Sequence, residues 1–139
     1  MSACYYVSLN VRFTDEEKAR QSLRDFIYNT KQTNFNLDHF KGHVDLDTID
    51  GLLQVIIVNW DFCRDFRTDE VGGWISYNGN FNATYSWEGV LQEMFNTLLP
   101  YIDVKATLRI EMESDYYILG VVNENDNLQA KVLEEGRVY

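Results

Sequence analysis

Cys63 is the residue whose type and setting come nearest to nucleophilic chemistry. It sits in Trp60-Asp61-Phe62-Cys63-Arg64-Asp65-Phe66-Arg67, and neighbouring arginines lower a thiol's pKa. His39 or His43 would serve as the base. Acids alternate with those arginines, however, and no segment marks an oxyanion hole. The reading is therefore an ordinary cysteine, and the same holds for Cys4 beside the first strand.

The metal-ligating residue types give no stronger pattern. His39 and His43 lie four apart, but Phe40 and Lys41 stand where a zinc-protease helix carries Glu and its spacer, and Gly42 disfavours a helix. A site borrowing Asp38 or Asp45 would be needed to complete a ligand set. Asp45, Asp47, Asp50 and Gly51 imitate part of a calcium loop. Their spacing is one residue too long at the third acid, and Ile56 occupies the place of the bidentate Glu. They read as a solvated acidic turn, and Glu124 and Asp126 as an ordinary hairpin turn. Gly72-Gly73 is a turn or bulge rather than a phosphate loop. Asn82-Ala83-Thr84 fits the glycosylation pattern, but no secretory signal accompanies it. Tyr5, Tyr6, Tyr77, Phe81 and Tyr85 on strands suggest a base-stacking sheet, but that platform needs a basic surround and this one is acidic. The expectation is no catalytic residue, no metal and no cofactor.

The elements that carry these residues follow from periodicity. Tyr5, Val7, Leu9, Val11 and Phe13 alternate with polar residues, a strand with one buried face. Thr14-Asp15-Glu16-Glu17 matches a capping box, with Thr14 as the cap. Ala19, Leu23, Phe26 and Ile27 mark the buried stripe of the helix that follows, ending near Thr30. Residues 31–50 are irregular, and are expected to pack over the fold with a short strand around Val44 to Ile49. Leu52 to Val58 is the most apolar run and reads as a central strand covered on both faces. After a loop from Asp61 to Gly73, Trp74–Tyr77 and Asn80–Tyr85 read as strands joined by the hairpin signal Asn78-Gly79. The alternative is one long strand with a glycine bulge. Ser86 caps a second helix with Trp87, Val90, Leu91, Met94, Phe95, Leu98 and Leu99 on one stripe, closed by Pro100. Ile102 to Met112 alternates cleanly as a strand. Tyr116 to Val122 and Leu128 to Leu133 are two more.

That order predicts a two-layer α+β sandwich, a ferredoxin-like βαββαβ plait with extra C-terminal strands, as one domain over 1–139. Leu23, Phe26, Val55, Ile57, Val90, Leu91, Met94, Phe95, Leu98, Val104, Leu108 and Ile110 are expected in one core. The plait hosts many functions and selects none.

Charge is what bears on function. Residues 1–43 hold six bases and five acids, whereas residues 44–139 hold six bases and seventeen acids, for a total of −10. No Lys or Arg occurs from Thr68 to Val104 or from Ile110 to Ala130. A negative field of this kind repels nucleic acid and anionic lipid and attracts basic proteins. No apolar run reaches the roughly 18 residues of a transmembrane helix. Two cysteines are too few for a disulfide framework, which points to the cytoplasm. The expected protein is a non-catalytic acidic binder docking on a basic surface of another protein, such as a nucleic-acid-binding one, with no direct contact to nucleic acid or membrane. Inhibitors, immunity proteins and nucleic-acid mimics, many from mobile elements, share this composition. The wet-face carboxylates Glu111, Glu113, Asp115, Glu124 and Asp126 are its candidate binding residues. A small-ligand regulatory domain is the alternative, motivated by the apolar run from Leu52, and an enzyme ranks third.

Overall fold

The computed structural model describes residues 2–29, 35, 37, 42–58 and 65–138. The elements are β1 (Ser2–Val11), α1 (Glu16–Asn29), α2 (Ile49–Ile57), β2 (Asp65–Val71), β3 (Trp74–Thr84), α3 (Trp87–Leu98), β4 (Thr107–Met112), β5 (Asp115–Glu124) and β6 (Asn127–Arg137). A 3₁₀ turn, Leu99–Tyr101, follows α3 and contains Pro100. The strands form one sheet in the order β2-β3-β1-β4-β5-β6, with every neighbouring pair antiparallel. This is an α+β architecture with a six-stranded antiparallel sheet and, among the described residues, three helices. It is not strictly the ferredoxin-like layout, because among the described residues two helices lie between β1 and β2; the two strands beyond β4 extend the sheet as the C-terminal pattern suggested.

Strand alternation sets the two faces. Ala3, Tyr5, Val7, Leu9 and Val11 of β1 are buried beneath the helices, together with Tyr77, Phe81 and Ala83 of β3 and Leu108 and Ile110 of β4. Cys4, Tyr6, Asn10, Asn80 and Asn82 lie on the opposite, open face. Of the residues expected in the core, Leu23, Phe26, Val55, Ile57, Leu91, Met94, Phe95, Leu98, Leu108 and Ile110 are buried, and Val90 is half-buried. Val104 is 57% exposed and does not belong there. Asp103 is the reason: its carbonyl and carboxylate accept the N–H groups of Ala106 and Lys105 at 3.0 and 2.9 Å. That turn breaks the alternation, so β4 begins at Thr107 and Ile102 makes only a single bridge to Phe13.

The largest correction is Leu52 to Val58, which is helix α2 and not a central strand. Thr48 caps it, accepting the Gly51 N–H at 3.1 Å. Gly51, Leu52, Leu53, Val55, Ile56 and Ile57 are all buried, so this helix is wrapped nearly all round by α1, α3 and the sheet. Burial on every side leaves a continuous apolar run, the same pattern as a doubly covered strand. The strand before β3 is instead β2, within the expected loop. Its charged sequence lies on a sheet edge, with Phe66 stacked on Tyr77 against the core. Val44 to Ile49 holds no strand but the turn leading into α2.

Asn78-Gly79 is not a hairpin turn either. Trp74–Thr84 is one strand paired on both sides without a register break. A Cβ on Gly79 would lie 2.8 Å from Ile57 Cγ2 and 3.1 Å from Val58 Cγ1. The glycine is there for the close approach of α2 to the sheet, not for a turn. The start of α1 is shifted by one residue as well. Asp15, rather than Thr14, accepts the Lys18 N–H at 3.1 Å, while Glu17 pairs with Arg20 instead of reaching back. Ser86 makes no side-chain cap to α3. Phe35 does pack over the fold, its ring 5.8 Å from Phe26 and 5.9 Å from Trp87.

Candidate functional site

The five carboxylates singled out from the sequence do not converge. Glu113 stands in the β4–β5 turn at φ 58°, and Asp126 in the β5–β6 turn at φ 64°. Between these turns runs the ten-residue β5, so the two groups are separated by roughly 30 Å. Three of the five have cationic partners. Arg109 donates to Glu111 at 3.1 Å, Arg137 lies 3.7 Å from Asp115, and Lys131 pairs with Glu124. Arg109 also covers the Tyr116 ring at 4.3 Å from its centroid. Three of these five are thus neutralised, and of the five only Glu113 and Asp126 stand outside the ion pairs seen among the described residues.

A denser acidic surface forms where the N-termini of α1 and α2 meet. Glu16, Glu17, Arg20, Thr48, Ile49 and Asp50 line a hollow of about 270 Å³. Both helices begin with acids because carboxylates are stabilised at the positive end of a helix dipole. Arg20 engages Glu17, and that hydrogen bond holds the Glu17 carboxyl below the usual range and raises the Arg20 guanidinium. Asp50 accepts the Tyr77 hydroxyl at 2.7 Å. Burial raises the Tyr77 phenol above its ordinary value, helped by that hydrogen bond and by the fields of Glu16 and Glu70. Asp50 therefore holds the hydroxyl directly while the fields of Glu16 and Glu70 reach it, and Arg20 is the only base lining the hollow among the described residues.

The calcium-like triplet belongs to the same corner but has structural partners. The Asp45 carboxylate accepts the Asp47 N–H at 2.9 Å, Asp47 accepts from Arg24 at 3.0 Å, and Asp50 holds Tyr77. Arg24 also donates to the Leu46 carbonyl at 2.9 Å, pinning the turn to α1. Among the described residues no group of three His, Cys, Asp or Glu side chains is placed to hold a metal. His43 is exposed in the turn that follows Gly42, and His39, Asp38 and Cys63 lie outside the described residues. Cys4 is exposed on the open face and donates to Asn82 Oδ1 at 3.1 Å.

The aromatics do not build a stacking platform. Tyr5, Tyr77 and Phe81 point into the core, Tyr5 stacking on Phe81 at 5.4 Å. Tyr6 alone of the five lies on the open sheet face, beside Arg67, Asn78 and Asn80, which with Gly79 line a shallow hollow of about 210 Å³. Neither hollow was anticipated. The signal for the acidic one was the pair of helix starts, Asp15-Glu16-Glu17 and Thr48-Ile49-Asp50, and it was lost once α2 was read as a strand.

These features define an α+β domain with an open polar sheet face and an acidic corner where two helix N-termini meet. No family model, no curated protein and no solved structure matches this chain. Among the described residues no helix is long and apolar enough to cross a membrane.

Proposed function

We propose that this is a non-catalytic docking protein that uses its acidic surface to hold a basic surface of another protein, in the manner of an inhibitor, immunity protein or nucleic-acid mimic. One observation carries the reading: Glu16, Glu17 and Asp50 line a hollow in which Arg20, the one base among its described lining residues, is already engaged by Glu17. A hollow of that size suits one lysine or arginine side chain, and the chain's excess negative charge steers such a partner toward it. The scattered, mostly paired late-strand carboxylates would contribute to the long-range field more than to contact. In this reading the protein works in the cytoplasm and touches neither nucleic acid nor membrane. The β2-β3-β1-β4 portion with α1 and α3 corresponds to the ferredoxin-like plait, with α2 and the β5–β6 hairpin as additions.

The test uses a partner captured from the native host and compares association rates. Glu16→Lys with Glu70→Lys leaves the Asp50–Tyr77 bond in place and should slow association at least tenfold. Raising salt from about 50 to about 500 mM should do the same. Reversal at Glu113, Asp115 and Glu124 should have the smaller effect. A partner whose association rate ignores both sets of reversals and the salt would overturn the reading.

A small-ligand domain is the second reading, and the hollow beside Tyr6 favours it, with amide and guanidinium groups next to an exposed ring. A metabolite that raises the melting temperature of the wild type but not of Tyr6→Ala would support it.

A further inference from the structure

We infer that β6 is a self-association edge, and that a second copy of this chain pairs antiparallel with it to join two sheets into one. β6 is the outer strand of the sheet, eleven residues long, and among the described residues no strand pairs with its outer edge. Leu128, Val132 and Leu133 on it, and Val138 just past its end, account for four of the nine large apolar side chains exposed among the described residues. Such an edge is a template for another strand unless charge or shape blocks it.

Charge selects the partner. The chain as a whole is at −10, but Asn127–Arg137 carries Lys131 and Arg137 against Glu134 and Glu135, a local net of zero. The opposite edge, β2, carries three acids and one base in seven residues, so two copies of it would repel. Only the β6 edge is electrostatically open to its own copy.

The bulge fixes the register. Leu119 stands opposite Val132 and Ile118 opposite Glu134, so Leu133 is the extra residue and shifts the side-chain alternation by one. Lys131, opposite Gly120, and Glu134, opposite Ile118, therefore share the open face although they are three residues apart. A two-fold axis between Val132 and Leu133 sets Lys131, which within one copy pairs with Glu124, against the partner's Glu134 as well, and repeats the arrangement on the other side of the axis. Val132 of both copies then meets across the axis on the helix side, while Leu133 of each folds back over Gly120 on the open face. Glu134 uses Oε2 for the Tyr116 hydroxyl, which leaves Oε1 to accept from lysine. Oppositely charged residues directly across antiparallel strands stabilise the pairing, and like charges oppose it.

The experiment is sedimentation of the full chain from about 1 μM to about 1 mM, a span that covers weak and moderate self-association. Wild type should dimerise. Lys131→Glu and Glu134→Lys, each placing like charges across the axis twice, should weaken the dimer by about tenfold or more. The swap carrying both Lys131→Glu and Glu134→Lys should restore it, and circular dichroism of all three variants should match wild type. A wild type that stays monomeric throughout, a dimer indifferent to both single variants, or a swap that fails to restore association would each overturn the inference. The swap separates lost charge pairing from lost folding, since a misfolded variant is not rescued by a second reversal.

Discussion

The Tyr77 hydroxyl, on the central part of β3, donates a 2.7 Å hydrogen bond to Asp50 in the first turn of α2. It ties the sheet to a helix 27 residues away in the chain and fixes Asp50, which lines the acidic hollow. Removing the hydroxyl with Tyr77→Phe should cost about 1.5–3 kcal/mol, the range for a hydrogen bond to a charged group. Denaturant titration checks it, and a loss below about 0.5 kcal/mol would mean that water serves Asp50 equally well.

The same contact makes a prediction about pH. Burial raises the Tyr77 and Tyr117 phenols above their ordinary value of 10.0; the Asp50 hydrogen bond adds to it at Tyr77, and Glu88 at Tyr117. The folded state thus holds these protons more tightly than the unfolded chain. Their contribution to stability is complete below pH 10 and is lost as pH climbs from there toward the folded values. Stability measured at stepped pH should stay level to about pH 9 and then fall, and the fall should be shallower in Tyr77→Phe. Tyrosinate absorbance from these two residues should appear only as the protein unfolds.

Gly79 should tolerate no side chain. Gly79→Ala would press a methyl group against Ile57 and Val58, forcing α2 away from the sheet. A loss of about 1–3 kcal/mol is expected, as for other overpacked cores. An alanine variant as stable as wild type would show that the helix–sheet spacing is looser than these distances.

The α3 stripe should behave as core. Leu91→Ala or Phe95→Ala should each cost about 2–5 kcal/mol, since both side chains are fully buried. Denaturant titration of either variant giving less than about 1 kcal/mol would contradict that packing.

Asp15 and Thr14 can be told apart by substitution. Asp15→Ala should destabilise by about 0.5–2 kcal/mol, because it removes the acceptor for the Lys18 N–H. Thr14→Ala should change little. The reverse order would return the cap to Thr14.

The α+β class, β1, α1, α3 and most of the core were legible in the sequence because each of these elements buries one face only. Period two in Tyr5 to Val11 and the helical stripe from Trp87 to Leu98 are the direct imprint of a single wet side. The charge imbalance was equally plain, being a matter of composition. What the sequence did not disclose are features set by neighbours distant in the chain. α2 is covered on all sides, so its apolar run lost the helical period, and only Thr48 and Asp50 at its start marked it as a helix. Gly79 resembled a turn because the need for it comes from Ile57 and Val58, side chains of another layer. The five late carboxylates looked like one group because they are close in sequence. β5 separates the two turns by its own length, and Arg109, Lys131 and Arg137 neutralise three of the acids. The acidic hollow exists only because tertiary packing sets two helix N-termini, more than thirty residues apart, against one tyrosine. Local alternation records which face of an element is buried, whereas convergence of charge depends on long-range packing and appears only once the chain is folded.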